Sequence, residues 1–157
     1  MNREIKFRAW DSVHNRMIYS DKHLGFRPFE DNNSFDNYDF NISKKGVYCF
    51  AYDEYDDDFG GGVCNETDLP IMQYVGLKDK NGVEVYENDI IDIHQTVNGY
   101  NQFVIQYDNY KFSARYYNQK TKQILGWYQY DLDELFEINE TEKEIEVVGN
   151  IYKNEVD

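Results

Sequence analysis

Asn81-Gly82 stands between two apolar runs, residues 72–77 and 83–86. A two-residue Asn-Gly connection needs positive φ at both central positions, and the resulting type I′ turn folds one strand directly back onto the next. With that hairpin in its middle, the chain is committed to antiparallel β structure there. The segments that follow repeat the theme. Strands are expected at 89–94, 102–107, 111–117 and 123–130, separated by Asn98-Gly99, Asp108-Asn109 and residues 118–121. Short strands at this spacing make a sheet that curls or closes on itself.

The residue palette agrees. Fifteen Tyr and ten Phe against three Met favour pleated, half-buried surfaces, and Pro28 and Pro70 alone interrupt them. At the N-terminus Ile5, Phe7 and Ala9 alternate with Lys6, Arg8 and Trp10, residues 11–15 supply turn chemistry, and 16–20 return, so a hairpin is expected over 3–20. Residues 21–70 are less regular, with one strand expected at 47–52, then an acidic run and Gly60-Gly61-Gly62 as a loop. Residues 131–136 read as one helical turn or two with Leu132, Leu135 and Phe136 on one face, and 144–152 as a last strand. The expected architecture is mainly β, a β-rich α+β fold of antiparallel strands. It comprises an N-terminal hairpin (1–20), an irregular acidic insertion (21–70), a curved sheet or small SH3-like barrel (71–152) and a tail (153–157), all as one domain.

Charge is distributed unevenly. The 30 acids and 16 bases give a net charge of −14, and two blocks, 31–70 and 131–157, carry ten acids and two bases each, while 71–130 has six of each. Such a surface repels phosphate backbones, so conventional nucleic-acid binding is disfavoured. Two readings of the acid excess remain: it keeps a small protein soluble, or it forms contact surfaces for a basic partner. The candidate interaction patch is Asp53, Glu54, Asp56, Asp57 and Asp58, with 131–146 as a second surface. An alternative uses the mildly basic N-terminal hairpin and the interleaved aromatics Tyr107, Tyr110, Phe112, Tyr116, Tyr117, Trp127, Tyr128 and Tyr130. These would stack single-stranded nucleic acid beside Lys111, Arg115, Lys120 and Lys122; packing in the core of the strands is the simpler account of them, and a protein interface would use the same aromatics equally.

Motifs for chemistry are missing from the sequence. His14, His23 and His94 form no HxxxH or HExxH pattern. Reading Asp56 as the first ligand of a calcium loop puts Gly61 at position 6 but Gly60 at position 5 and Thr67 at position 12, where a bidentate Glu is needed. Gly60-Gly61-Gly62-Val63-Cys64 lacks the Lys-Ser/Thr of a phosphate cradle, and no serine lies in Gly-x-Ser-x-Gly. Cys49 and Cys64 are too few for a disulfide framework or a thiolate zinc site. No enzyme activity, cofactor or metal is expected. No stretch approaches the length of an apolar membrane span and residues 1–6 lack a signal-peptide core, so a cytoplasmic protein is expected.

Four blocks then occur in order: Arg3-Glu4-Ile5-Lys6-Phe7-Arg8-Ala9-Trp10-Asp11, residues 72–82 from Met72-Gln73-Tyr74 to Asn81-Gly82, Val85-Tyr86-Glu87-Asn88-Asp89-Ile90-Ile91, and Val148-Gly149-Asn150-Ile151-Tyr152. Together they resemble the YopX family of phage and prophage proteins. The family has Gly where this chain has Asn88, and Asn is the next-best residue for a left-handed turn. The resemblance implies a phage-derived protein inside the bacterial cell and carries over no catalytic residues. A non-enzymatic accessory protein that binds a host or phage protein, and associates with copies of itself to cover edge strands, is the reading that follows.

Overall fold

A computed structural model describes residues 4–13, 15–21, 38–43, 46–53, 65–132, 134–135 and 145–153. Among them lie twelve strands, β1 (Phe7–Asp11), β2 (Arg16–Tyr19), β3 (Tyr38–Ser43), β4 (Gly46–Asp53), β5 (Asn65–Asp68), β6 (Ile71–Lys78), β7 (Glu84–Tyr86), β8 (Asp89–Val97), β9 (Tyr100–Asp108), β10 (Lys111–Asn118), β11 (Gln123–Asp131) and β12 (Ile145–Asn150). The chain divides into two compact units, one of residues 6–72 and one of residues 73–157 with 1–5.

In the first unit β1 and β2 form the expected hairpin, with Ala9 opposite Ile18. Its open end is tied twice: Ser20 N donates to Phe7 O at 2.9 Å and Phe7 N to Ser20 Oγ at 3.0 Å. At the turn, the buried Asp11 accepts the Val13 N–H at 3.0 Å, the self-bonding that makes Asp a turn residue. Strand β4 is the one expected at 47–52, and β3 and β5 flank it in an antiparallel sheet of order β3-β4-β5. Ala9, Ile18, Cys49 and Leu69 make the core, with Phe40 and Ile71 packed against it. Cys49 is a buried free thiol.

In the second unit β6 and β7 are the two sides of the hairpin that Asn81-Gly82 signals, pairing Tyr74 with Tyr86 and Lys78 with Glu84. The turn is not the expected two-residue type I′: only Gly82 has positive φ, 79°, and its N–H donates to Asp79 O, so the turn runs over Asp79–Gly82 with the glycine in its last, left-handed position. The four strands expected between 89 and 130 are β8 to β11, and with β12 they form a five-stranded antiparallel sheet of order β11-β10-β9-β8-β12. It is an open half-barrel, the curved-sheet form of the expectation, with β11 and β12 at its two ends.

Period-2 alternation sorts its side chains onto two faces. The cross-strand pairs Ile91 with Phe103, Phe103 with Tyr116, Ile105 with Ala114 and Ile93 with Ile145 enter the larger core, together with Val75, Val85, Leu132 and Leu135. Ile90, Val104 and Tyr117 enter a smaller one with Ile124 and Ile151. Each fully buried aliphatic or aromatic side chain contributes roughly 1.5–3 kcal/mol of burial free energy. Where the helical turn is expected, Leu132, Glu134 and Leu135 have helical backbone, and both leucines are buried in the larger core.

Three irregularities bend the sheet, the smallest in β12, which advances two residues from Val147 to Gly149 while β8 advances one, from Ile91 to Ile90. Between the pairs Arg115 with Gln129 and Tyr117 with Ile124, β10 advances two residues and β11 five. Between Asp92 with Gln102 and Val97 with Tyr100, β9 spans two residues and β8 five. Three extra residues in β11 and three in β8 widen and twist the ladder locally, as bulges do.

Candidate functional site

Of the sequence-derived interaction patch, Asp53 ends β4, and Glu54, Asp56, Asp57 and Asp58 lie outside the described residues. In the second acidic block Asp131 is paired with Lys111 and Glu146 with Lys80, and Glu134 is exposed. His14, His23 and Cys64 also fall outside the described residues; His94 lies in β8. Among the described residues no three His, Cys, Asp or Glu side chains gather where a metal ion would sit.

The aromatics do not form one platform. Tyr116 and Tyr130 belong to the larger core side and Tyr117 to the smaller. Tyr107 stacks edge-on against Phe112 at 5.1 Å and is 50% exposed, while Tyr110, at the tip of the β9–β10 hairpin, is 95% exposed. Of the nearby bases, Lys111 is engaged by Asp131 and Arg115 by Asp108.

The tightest aromatic group lies in the second unit where the β8 and β11 bulges fall. Tyr100 and Phe103 pack on Tyr116 with ring centroids 4.5 and 4.9 Å away, and Tyr130 stands edge-on to Tyr116 at 5.7 Å. The hydroxyls of Tyr116 and Tyr130 are 2.8 Å apart. Asn98 closes the group, its Nδ2 donating to Tyr130 at 2.9 Å and to Tyr116 at 3.2 Å. Asn98 and Gly99, with φ of 51° and 84°, form the β8–β9 turn that the sequence signals.

Buried carboxylates do something different: they hold backbone. Asp79 Oδ1 accepts the N–H groups of Asn81 and Val83, each at 2.8 Å, and Oδ2 accepts Val147 N at 3.0 Å. Lys80 N donates to Ile145 O at 3.0 Å, so the Asn-Gly turn is stapled to the outer edge of β12. Asp89, 1% exposed, accepts Tyr86 N at 2.8 Å and Asn150 Nδ2 at 3.2 Å. Asn150 Oδ1 in turn accepts Tyr152 N at 3.0 Å. Between Tyr86 and Asp89, Asn88 has the left-handed φ of 65°, donates its N–H to Ile105 O at 2.7 Å and accepts Ile151 N at 3.1 Å. Glu87, beside it, has its carboxyl pKa raised above the ordinary 4.5 because burial disfavours the charged form; backbone hydrogen bonds from Gln73 and Tyr107 pull the other way.

The staples sit in three of the four sequence blocks, 72–82, 85–91 and 148–152, and the YopX protein family matches residues 6–156, nearly the whole chain. The chain is a member of the YopX family. Its Asn88 takes, in left-handed backbone, the place of the glycine expected there. Comparison with curated proteins gives no match. Among solved structures, the crystal structure of protein EF1440 from Enterococcus faecalis is similar, at 26% identity over 99% of this chain and 98% of that one, with a TM-score of 0.47. In this YopX chain the motif residues described above fix turns and edges.

Proposed function

We propose that this YopX protein is a non-enzymatic phage or prophage accessory protein that acts in the bacterial cytoplasm by binding a host or phage protein through its acid-rich segments, 53–58 and 131–146. The observation that carries the reading is where acid is left over. Within the sheets the carboxylates have internal work: Asp79 and Asp89 hold backbone N–H groups, and Asp108, Asp131 and Glu146 pair with Arg115, Lys111 and Lys80. Residues 71–130 balance at six acids and six bases, so the surplus is concentrated in the blocks 31–70 and 131–157, at −8 each. A basic protein surface is the complementary partner, steered by a field that falls with salt. Replacing Asp56, Asp57 and Asp58 together by Asn tests it: partner affinity is expected to fall, and unchanged affinity excludes the patch.

Self-association belongs to the same reading, because β11 ends its sheet and end strands gain by pairing with another chain. Sedimentation that gives a monomer at all concentrations excludes it.

A second reading, single-strand nucleic-acid binding, is favoured by the exposure of Tyr107 and Tyr110. It requires binding that weakens steeply with salt, and the lack of a gel shift at low salt rules it out.

A further inference from the structure

The chain holds two exposed Asn-Gly turns, Asn81-Gly82 and Asn98-Gly99, and their surroundings differ in the groups that matter for cyclisation of the asparagine side chain. We propose that Asn98 is a site of self-assisted deamidation in which the hydroxyls of Tyr130 and Tyr116 serve the departing nitrogen. In this reaction the Gly99 backbone nitrogen gives its proton to solvent base and bonds to Asn98 Cγ. The Cγ–Nδ2 bond then breaks, ammonia leaves, and a five-membered imide remains. Water adds to one of the two imide carbonyls and gives aspartate or isoaspartate, so the balance is asparagine plus water to acid plus ammonia, with no oxidation.

Expulsion of the nitrogen is the step an acid assists. Once Cγ is tetrahedral, Nδ2 becomes a basic amine that must be protonated to leave. Around Asn98 the two hydroxyls already lie at 2.9 and 3.2 Å from Nδ2. In the resting state Nδ2 donates to them; after attack one hydroxyl rotates and donates to Nδ2, a positioned proton transfer of the general-acid kind. The pair lies 2.8 Å apart, so the second hydroxyl can hydrogen-bond to the oxygen that has given up its proton. The nucleophile is available as well: among the described residues no hydrogen bond engages the Gly99 N–H, and glycine adds no side chain to hinder its approach. At Asn81 the arrangement is reversed. Gly82 N donates to Asp79 O at 2.9 Å, which withholds the nucleophile, and the Asn81 amide has no tyrosine hydroxyl against it among the described residues.

The product changes the aromatic group. A carboxylate at 98 accepts where the amide donated, and the net charge moves from −14 to −15 (−14 minus 1). Isoaspartate also inserts a backbone carbon into the β8–β9 turn.

The test is to age the purified full chain at pH 8 and follow both turns by peptide mapping with mass spectrometry, in the wild type and in Tyr130→Phe. Asn98 is expected to convert several-fold faster than Asn81, and Tyr130→Phe to slow conversion at 98 by about tenfold, below the usual range for a general acid because Tyr116 remains. The Asn81 rate, unchanged, reports that the variant is folded. Conversion of Asn81 ahead of Asn98 overturns the proposal, and so does a Tyr130→Phe variant in which Asn98 converts as fast or faster, since the hydroxyls then only restrain the amide.

Discussion

Asp79 makes three hydrogen bonds to backbone N–H groups from one carboxylate, two within its own turn and one to Val147. Removing it strands three donors in a part-buried setting, each worth on the order of 1 kcal/mol, so Asp79→Ala is expected to cost about 3 kcal/mol in urea unfolding. A loss below 1 kcal/mol would mean that water replaces the carboxylate. Only half of this role is legible in the sequence: Asp-x-Asn-Gly announces a turn, but the bond to Val147 spans 68 residues and has no local signature. Glu87 is a different case. Its folded pKa is raised above 4.5 by burial, so the folded state holds the proton more tightly than the unfolded chain. The stabilisation this gives is complete below 4.5 and is lost as pH rises through the folded value. Glu87→Gln is therefore expected to raise the melting temperature at pH 7 and to match the wild type below pH 4.5. A difference independent of pH would contradict that origin.

Among the elements, the hairpins show most clearly how residue choice and strand geometry agree or conflict. Asn98-Gly99 is a good type I′ pair, whereas the β9–β10 turn places Asn109 and Tyr110 at φ of 49° and 66°. A tyrosine in left-handed backbone costs on the order of 1 kcal/mol, and an exposed ring gains little in return. Tyr110→Gly makes an Asn-Gly turn and is expected to stabilise the protein by up to about 1 kcal/mol in chemical denaturation; a destabilised variant would show that the ring packs in solution. Leu135 is the opposite case, a fully buried residue beyond β11, and Leu135→Ala is expected to cost about 2–5 kcal/mol. The strands themselves were readable wherever alternation meets turn residues, from β6 to β12 and in β1–β2. Strand β3 carries Tyr38, Phe40 and Ile42 in alternation but no turn signal isolates it, and β5, Asn-Glu-Thr-Asp, has no apolar residue at all. Its pairing with β4 makes it a strand, and pairing is not written in a four-residue window. The bulges in β8 and β11, which bend the sheet, likewise show only in the pairing register.

For the whole molecule, the formal charge puts −8 in each of two blocks, and although Asp131 and Glu146 of the second are paired with Lys111 and Lys80, this division of charge supports the proposed binding function more than any single residue does. The sequence alone displays the surplus; it does not display which carboxylates are occupied, because Asp79, Asp89, Asp108 and Asp131 look no different from Asp56 or Asp58 until the sheets bring them to backbone N–H groups and to Lys111 and Arg115. The most direct measurement is retention of lysogenic host proteins on the immobilised wild-type chain and on its Asp56→Asn, Asp57→Asn, Asp58→Asn variant, with nuclease present and mass spectrometry as readout. The expected result is one basic protein held by the wild type after nuclease and lost from the variant. Equal retention by both, or retention that vanishes with nuclease, would contradict an acidic protein-binding surface.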